Sequence, residues 1–152
     1  MNLTMMKSAV GTVARFEGPW DINKALTFFQ HPQHLHTAAA SPRDDDESHG
    51  EESPLVVDLD GLTSFPTPEE LMFFVGQVVR SGQAPNRFAL LACKPVTFGL
   101  GRMASTLAIA NGWELPVFRR RRDAELHLQR TQTTASLNAE LDADAVDVLR
   151  RA

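Results

Sequence analysis

The stretch LVVDLDGLTSFPTPEEL (Leu55–Leu71) decides the fold. It follows Pro54 and opens with Leu55–Leu59, a short continuous apolar run of the kind found in strands buried on both faces. Gly61 then predicts a turn. Thr67-Pro68-Glu69-Glu70 is a helix start on three counts: Thr at the N-cap, Pro at the first helical position, and Glu at the third to close a capping box. The helix LMFFVGQVVR follows and stops near Ser81-Gly82. Its interior Gly76 costs about 1 kcal/mol relative to Ala, which predicts close packing at that position.

Downstream the same alternation repeats. RFALLAC (Arg87–Cys93) predicts the next strand, ended by Lys94-Pro95. Thr97 is the expected cap of a helix through FGLGRMASTLAIA, with Gly112 as its stop and Leu100, Met103, Ala104 and Leu107 as its apolar face. Trp113–Phe118 is the last expected strand, and Asp123–Gln129 a short helix carrying Leu126 and Leu128. Upstream, Thr4–Ser8 and Thr12–Glu17 form an expected hairpin around Gly11, broken by Gly18-Pro19. Asp21 then caps a helix over Ile22–Gln30, with Ala25, Leu26, Phe28 and Phe29 as its apolar side. Strands alternating with helices predict an α/β fold: a mostly parallel four- to five-stranded sheet, about four helices, and an N-terminal antiparallel hairpin at the edge. Its central expectation is that Leu55–Leu59, Arg87–Cys93 and Trp113–Phe118 lie side by side and run the same way.

Composition narrows the class. The chain has 152 residues, 43% hydrophobic and 22% charged, which suits one globular domain, taken as residues 1–130. A net charge of −4 gives no global basic excess for nucleic-acid binding. The single cysteine, Cys93, excludes a disulfide framework and a cysteine-built zinc site. No apolar run reaches the ~20 residues of a membrane span, and MNLTMMKSAV lacks the apolar stretch of a signal peptide, so a cytoplasmic protein is expected. Charge is concentrated in residues 37–53, where six acids and one base give −5 and leave +1 for the rest. That segment has no large apolar residue and is expected to be a disordered loop insertion. Residues 131–135 are expected to be a linker, and Ser136–Arg151 a terminal amphipathic helix (Leu137, Leu141, Ala145, Val148) or a partly ordered tail.

Enzyme signatures are absent or misplaced. Gly99–Ala104 fits G-x-G-x-x-A, but Lys94–Phe98 separate it from the strand, and the next strand ends in Arg119, not an acid. His31, His34 and His36 flank Pro32 with no acid or cysteine to complete a metal site. Cys93 has no His partner and is read as a small core residue. No catalytic residue, metal or cofactor is expected.

In an open parallel sheet, ligands bind at the carboxyl ends of the strands. That rule selects Thr63, Ser64 and Thr67 after one strand, Lys94 and Thr97 after the next, and Arg119 and Arg120 after the last. Helix N-termini there, with Lys94 and the arginines, would attract an anion through Thr63, Lys94, Thr97, Arg119 and Arg120. The plainer reading is that the threonines cap helices and the cations are solvated. The run Arg119–Arg122 stands just before a helix, where positive charge is disfavoured; it is either an acid-seeking patch or a solvated turn with Asp123 as N-cap. The helix after Thr67 is apolar nearly all round, so Met72 or Phe73 must be exposed or covered by the chain itself, a second subunit, a partner or a greasy ligand.

VARFEGPW (Val13–Trp20), VVDLDGLTSFPTPEEL (Val56–Leu71), KPVTFGLGRMASTLA (Lys94–Ala108) and LPVFRRRRDAELHL (Leu115–Leu128) stand in an order and spacing that resemble the STAS-like family, the domains related to anti-sigma-factor antagonists. The resemblance runs from Val13 to about Leu128, roughly three quarters of the chain. It implies an α/β fold and a non-enzymatic role in partner binding or ligand sensing. In the regulated antagonists a kinase phosphorylates a Ser or Thr at the start of the helix after the DL-G strand. Thr67 falls on that position, with Ser64 as the neighbouring hydroxyl. Pro66 and Pro68 replace that subfamily's Asp and second Ser, which fits the less characterised single-domain branch. The expected function is a regulatory domain that binds a protein partner, or itself as a homodimer, through the Thr67 helix and adjacent loops, with phosphorylation as its switch. The alternative is a module for a small anionic or lipid-like ligand at the strand ends.

Overall fold

The computed structural model describes residues 1–30, 54–131 and 133–134. Strands β1 (Asn2–Ser8) and β2 (Gly11–Gly18) pair antiparallel in unbroken register across a two-residue turn, Ala9-Val10. Helix α1 (Ile22–Gln30) starts where Asp21 Oδ1 accepts the N–H groups of Asn23 and Lys24, each at 3.1 Å. Strand β3 (Leu55–Leu62), helix α2 (Pro68–Arg80), strand β4 (Phe88–Leu91), helix α3 (Pro95–Ala110) and strand β5 (Val117–Phe118) follow. Helix α4 covers 121–131, and 133 and 134 are helical too, past the point where a linker is expected. The acidic stretch 37–53, the three histidines and the segment 136–151 lie outside the described residues.

The sheet has five strands in the order β1-β2-β3-β4-β5, antiparallel between the first two and parallel from β2 onward. The expected juxtaposition holds: Val56 stands opposite Ala89, and Leu90 opposite Val117. With a steadily advancing strand order and crossovers of one hand, every intervening helix falls on one face. Ala14, Phe16, Val57, Phe88 and Leu90 accordingly join α1, α2 and α3 in the main core. Val13, Val56, Ala89 and Leu91 point the other way, onto Ala124 and Leu128 of α4.

Four local expectations are corrected. Gly61 does not turn the chain; it lies in β3 opposite Glu17, beside a register shift, where a Cβ would stand 2.5 Å from the Phe16 carbonyl oxygen. Close backbone approach is the reason for that glycine. Gly76 packs against no other element: the nearest atom to an added Cβ is Nη2 of Arg80, the flexible end of a side chain on the same helix, at 3.3 Å. Helix α3 is capped by Lys94 with Pro95 in the first turn, so Thr97 sits inside it, and its buried face is Thr97, Gly101, Ala104 and Ala108. Small residues are required there because a Cβ on Gly101 would come within 2.8 Å of Val117 Cγ1, and Met103 is left 41% exposed. Strand β5 is shorter than expected: Trp113 and Leu115 turn into the core, and Pro116 has no N–H for a ladder.

Candidate functional site

Three loops meet the carboxyl edge of the sheet, after β3, β4 and β5. After β3, Ser64 Oγ accepts the Trp20 N–H at 2.9 Å, and the Thr63 N–H donates to the Gly18 carbonyl at 2.9 Å. The chain then enters α2 through the expected capping box: Thr67 Oγ1 accepts the Glu70 N–H at 3.2 Å, and Glu70 Oε2 accepts the Thr67 N–H at 2.9 Å. Inward, α2 buries Leu71, Phe74, Val75 and Val78. Outward it shows Met72, 58% exposed, and Phe73, 50% exposed, with Phe65 of the preceding loop also exposed. Val96, Leu100, Met103 and Leu107 share one flank of α3 by their spacing. Leu100 lines a small cavity with Pro66, Leu71 and Phe74, so that flank turns toward α2.

The start of α3 is organised by Asp60, a residue the sequence reading passed over. Its carboxylate accepts the N–H groups of Cys93 at 2.8 Å and Lys94 at 3.1 Å and the Thr97 hydroxyl at 2.6 Å. Lys94 Nζ donates to the Asp60 carbonyl at 2.7 Å. Burial pushes the Asp60 carboxyl up, but hydrogen bonds from Thr97, the Cys93 thiol, and the Lys94 and Cys93 backbones outweigh it and hold the carboxyl below its ordinary 3.8. The helix N-terminus selected above as an anion site thus already holds a carboxylate of the same chain. A signal was present: an acid two residues past Asp58, at the carboxyl end of a parallel strand.

After β5, the Arg119 guanidinium lies over the Phe98 ring, 4.3 Å from its centroid. Arg120, rather than Asp123, fills the cap position: its carbonyl accepts the N–H groups of Asp123 at 3.1 Å and Ala124 at 3.3 Å. Arg121 pairs with Glu125 at 2.9 Å. Lys94 and Thr97 are therefore brought together on Asp60, whereas among the described residues no hydrogen bond or ion pair joins Thr67, Arg119 or Arg120 to that group.

The chemistry of the edge is that of a filled site. The Cys93 thiol is pushed up to about 11 from 9.0, first by its hydrogen bond to Asp60, then by burial and the charges of Asp60 and Asp58. Two units correspond to about a hundredfold less thiolate at neutral pH than an ordinary cysteine. Iodoacetamide at pH 8 is expected to alkylate Cys93 at least ~30-fold more slowly than a free thiol, and Asp60→Asn to restore most of that rate. Equal rates in the two proteins would show that Asp60 does not govern the thiol. The cavity under α2 and α3 measures about 40 Å³ and is walled by apolar residues that include Trp20, whose Nε1 is buried without a hydrogen-bond partner. Among the described residues, no group of three or more His, Cys, Asp or Glu is placed to hold a metal ion, and no helix is long and apolar enough to cross a membrane.

The antiparallel hairpin, the parallel run of strands and the helices between them define a mixed α/β domain, the fold class expected from the sequence. The chain is similar to a solved structure from Shewanella loihica PV-4, an uncharacterized protein of the DUF3478 family with a SpoIIAA-like fold. The two are 15% identical over 84% of this chain and 92% of that one, with a TM-score of 0.48. No family model and no curated protein matches the chain.

Proposed function

We propose that the chain is a non-enzymatic regulatory domain that binds a protein partner through α2 and the loop before it. The exposure of Met72 and Phe73, side by side in the first turns of a helix whose inner face is already filled, carries this reading. Two large apolar side chains in water at one place favour a contact that removes them. Phe65 of the preceding loop and Val96 and Met103 of α3 are exposed as well. Thr67 is exposed at the edge of this surface, and a phosphate at a helix N-terminus is compatible with the macrodipole. Phosphorylation of Thr67 or Ser64 would place negative charge beside Met72 and Phe73 without unwinding the helix, which is how a switch on this surface would operate.

The test is capture from native lysate with the wild-type chain, Met72→Asp and Phe73→Asp, each first shown folded by circular dichroism. Both substitutions lie outside the core, so melting is expected to shift by less than about 1 kcal/mol. A partner bound through α2 is expected to lose at least ~30-fold in recovery with either variant. Identical recovery from all three proteins overturns the reading.

A further inference from the structure

The two edges of the sheet are managed differently. β5 is only two residues long, which blunts one edge. β1 runs for seven residues in unbroken register, with no proline and no bulge, and among the described residues no strand lies on its outer side. The direction of its free groups follows from the ladder. The Thr12 N–H donates to the Pro54 carbonyl, toward β3, and Thr12 stands opposite Leu55 there. Alternate residues of β2 (Val13, Arg15 and Glu17) therefore turn their backbone groups to β1, where they meet Met6, Thr4 and Asn2. Leu3, Met5 and Lys7 are left with N–H and C=O directed outward.

We propose that this free edge pairs with β1 of a second copy of the chain, antiparallel about a two-fold axis through Met5. That register sets Met5 opposite Met5 and Leu3 opposite Lys7, and makes about six main-chain hydrogen bonds from the outward groups. It sets no two like charges directly opposite each other. Lys7 is the only charged residue of β1, and the two copies of it lie about 14 Å apart at ~3.4 Å per residue, beyond the Debye length in physiological salt. Opposed residues share a face, so each Lys7 stem lies along an exposed Leu3 at the mouth of the open groove between β1 and α1, lined by Leu3, Phe16, Lys24 and Phe28. A two-fold axis normal to the sheet keeps the helices of both copies on one side, and the joined sheet has β5 at both ends. The interface is distant in the fold from Met72 and Phe73 and does not depend on the function proposed above.

Sedimentation velocity on the full chain across the micromolar range tests the pairing. The wild-type chain is expected to dimerise reversibly. Met5→Pro removes an outward N–H that the hairpin does not use, and is expected to give a monomer with an unchanged circular dichroism spectrum. Leu3 is exposed, so its variants keep the fold and read the register directly. Leu3→Lys sets like charges opposite Lys7 twice per dimer and is expected to raise the dissociation constant about tenfold, whereas Leu3→Glu supplies two opposite-charge pairs and is expected to lower it several-fold. A monomeric wild-type chain overturns the proposal, as does equal weakening by Leu3→Lys and Leu3→Glu. A dimer that Met72→Asp dissolves and Leu3→Lys leaves intact also overturns it and places the contact on α2.

Discussion

Asp60→Ala is expected to lower the thermal midpoint by about 5–10 °C. The substitution removes the acceptor of three hydrogen bonds, from the Cys93 and Lys94 N–H groups and the Thr97 hydroxyl. Thr97 is wholly buried, with the Lys94 carbonyl at 3.0 Å as its only other acceptor among the described residues. Water resupplies the two exposed N–H groups more cheaply than the buried hydroxyl. The sum is about 2–3 kcal/mol, or roughly 2–4 °C per kcal/mol for a domain of this size. Asp60→Asn keeps one acceptor oxygen and is expected to cost less. The two effects separate by pH. A carboxyl held below its ordinary value in the folded state stabilises the fold above the unfolded pKa, and that contribution is lost as pH falls through the folded one. The stability difference between wild type and Asp60→Asn, from urea unfolding, should therefore be level from pH 7 to about 5 and shrink below about 4. A difference that instead grows toward acid would mean that Asp60 is not held as a carboxylate.

Phe29→Ala is expected to be the most damaging single truncation in the main core, at about 3–5 kcal/mol. Phe29 is 5% exposed and meets four rings, all edge-on: Phe28 at 5.1 Å, Phe74 and Phe88 at 5.4 Å, and Trp113 at 6.3 Å between centroids. Those rings come from α1, α2, β4 and the α3–β5 connection, so one side chain ties two helices and that connection to the sheet. Edge-to-face ring pairs add to the area each ring buries. A loss of that size is a large share of the ~5–15 kcal/mol that holds a domain folded. Calorimetry should show a midpoint lower by about 6–20 °C, and Phe29→Leu should recover more than half of it. A cost under about 1 kcal/mol for Phe29→Ala would mean that this aromatic cluster does not hold the helical layer to the sheet.

The elements written in local chemistry were legible. Asp21 before an apolar face, the Thr67–Glu70 box, the apolar run from Leu55 and the N-terminal hairpin each depend on a few adjacent residues, and each stands as expected, although the hairpin turns at Ala9-Val10 and Gly11 opens β2. The α/β class and the parallel run of strands follow from their order. What failed to show depends on contacts between distant segments. Lys94-Pro95 repeats the pattern of Thr67-Pro68 but reads as a strand end, because lysine carries no capping oxygen; the carboxylate that holds the Lys94 N–H is Asp60, 34 residues earlier. The apolar face assigned to α3 followed its largest residues, whereas close approach to β5 selects its smallest. Gly61 passed as a turn because only the neighbouring Phe16 backbone shows why a strand needs glycine there. Of the site residues, Met72 and Phe73 are exposed as the helix pattern requires; the engagement of Lys94 and Thr97 by Asp60 could not be read from spacing alone.

The unbroken numerical order of the strands bears on how the protein is made. On the ribosome each parallel strand after β2 emerges to find its neighbour already placed, and none has to wedge between two others. The growing sheet therefore extends in one direction as synthesis proceeds, with α1, α2 and α3 laid down over it in turn. Its reverse side waits for a later helix: Val13, Val56, Ala89 and Leu91 stay bare until α4 has left the exit tunnel. A nascent chain stalled after β5 would carry an otherwise finished domain with one greasy wall, the state in which chaperones have most to do.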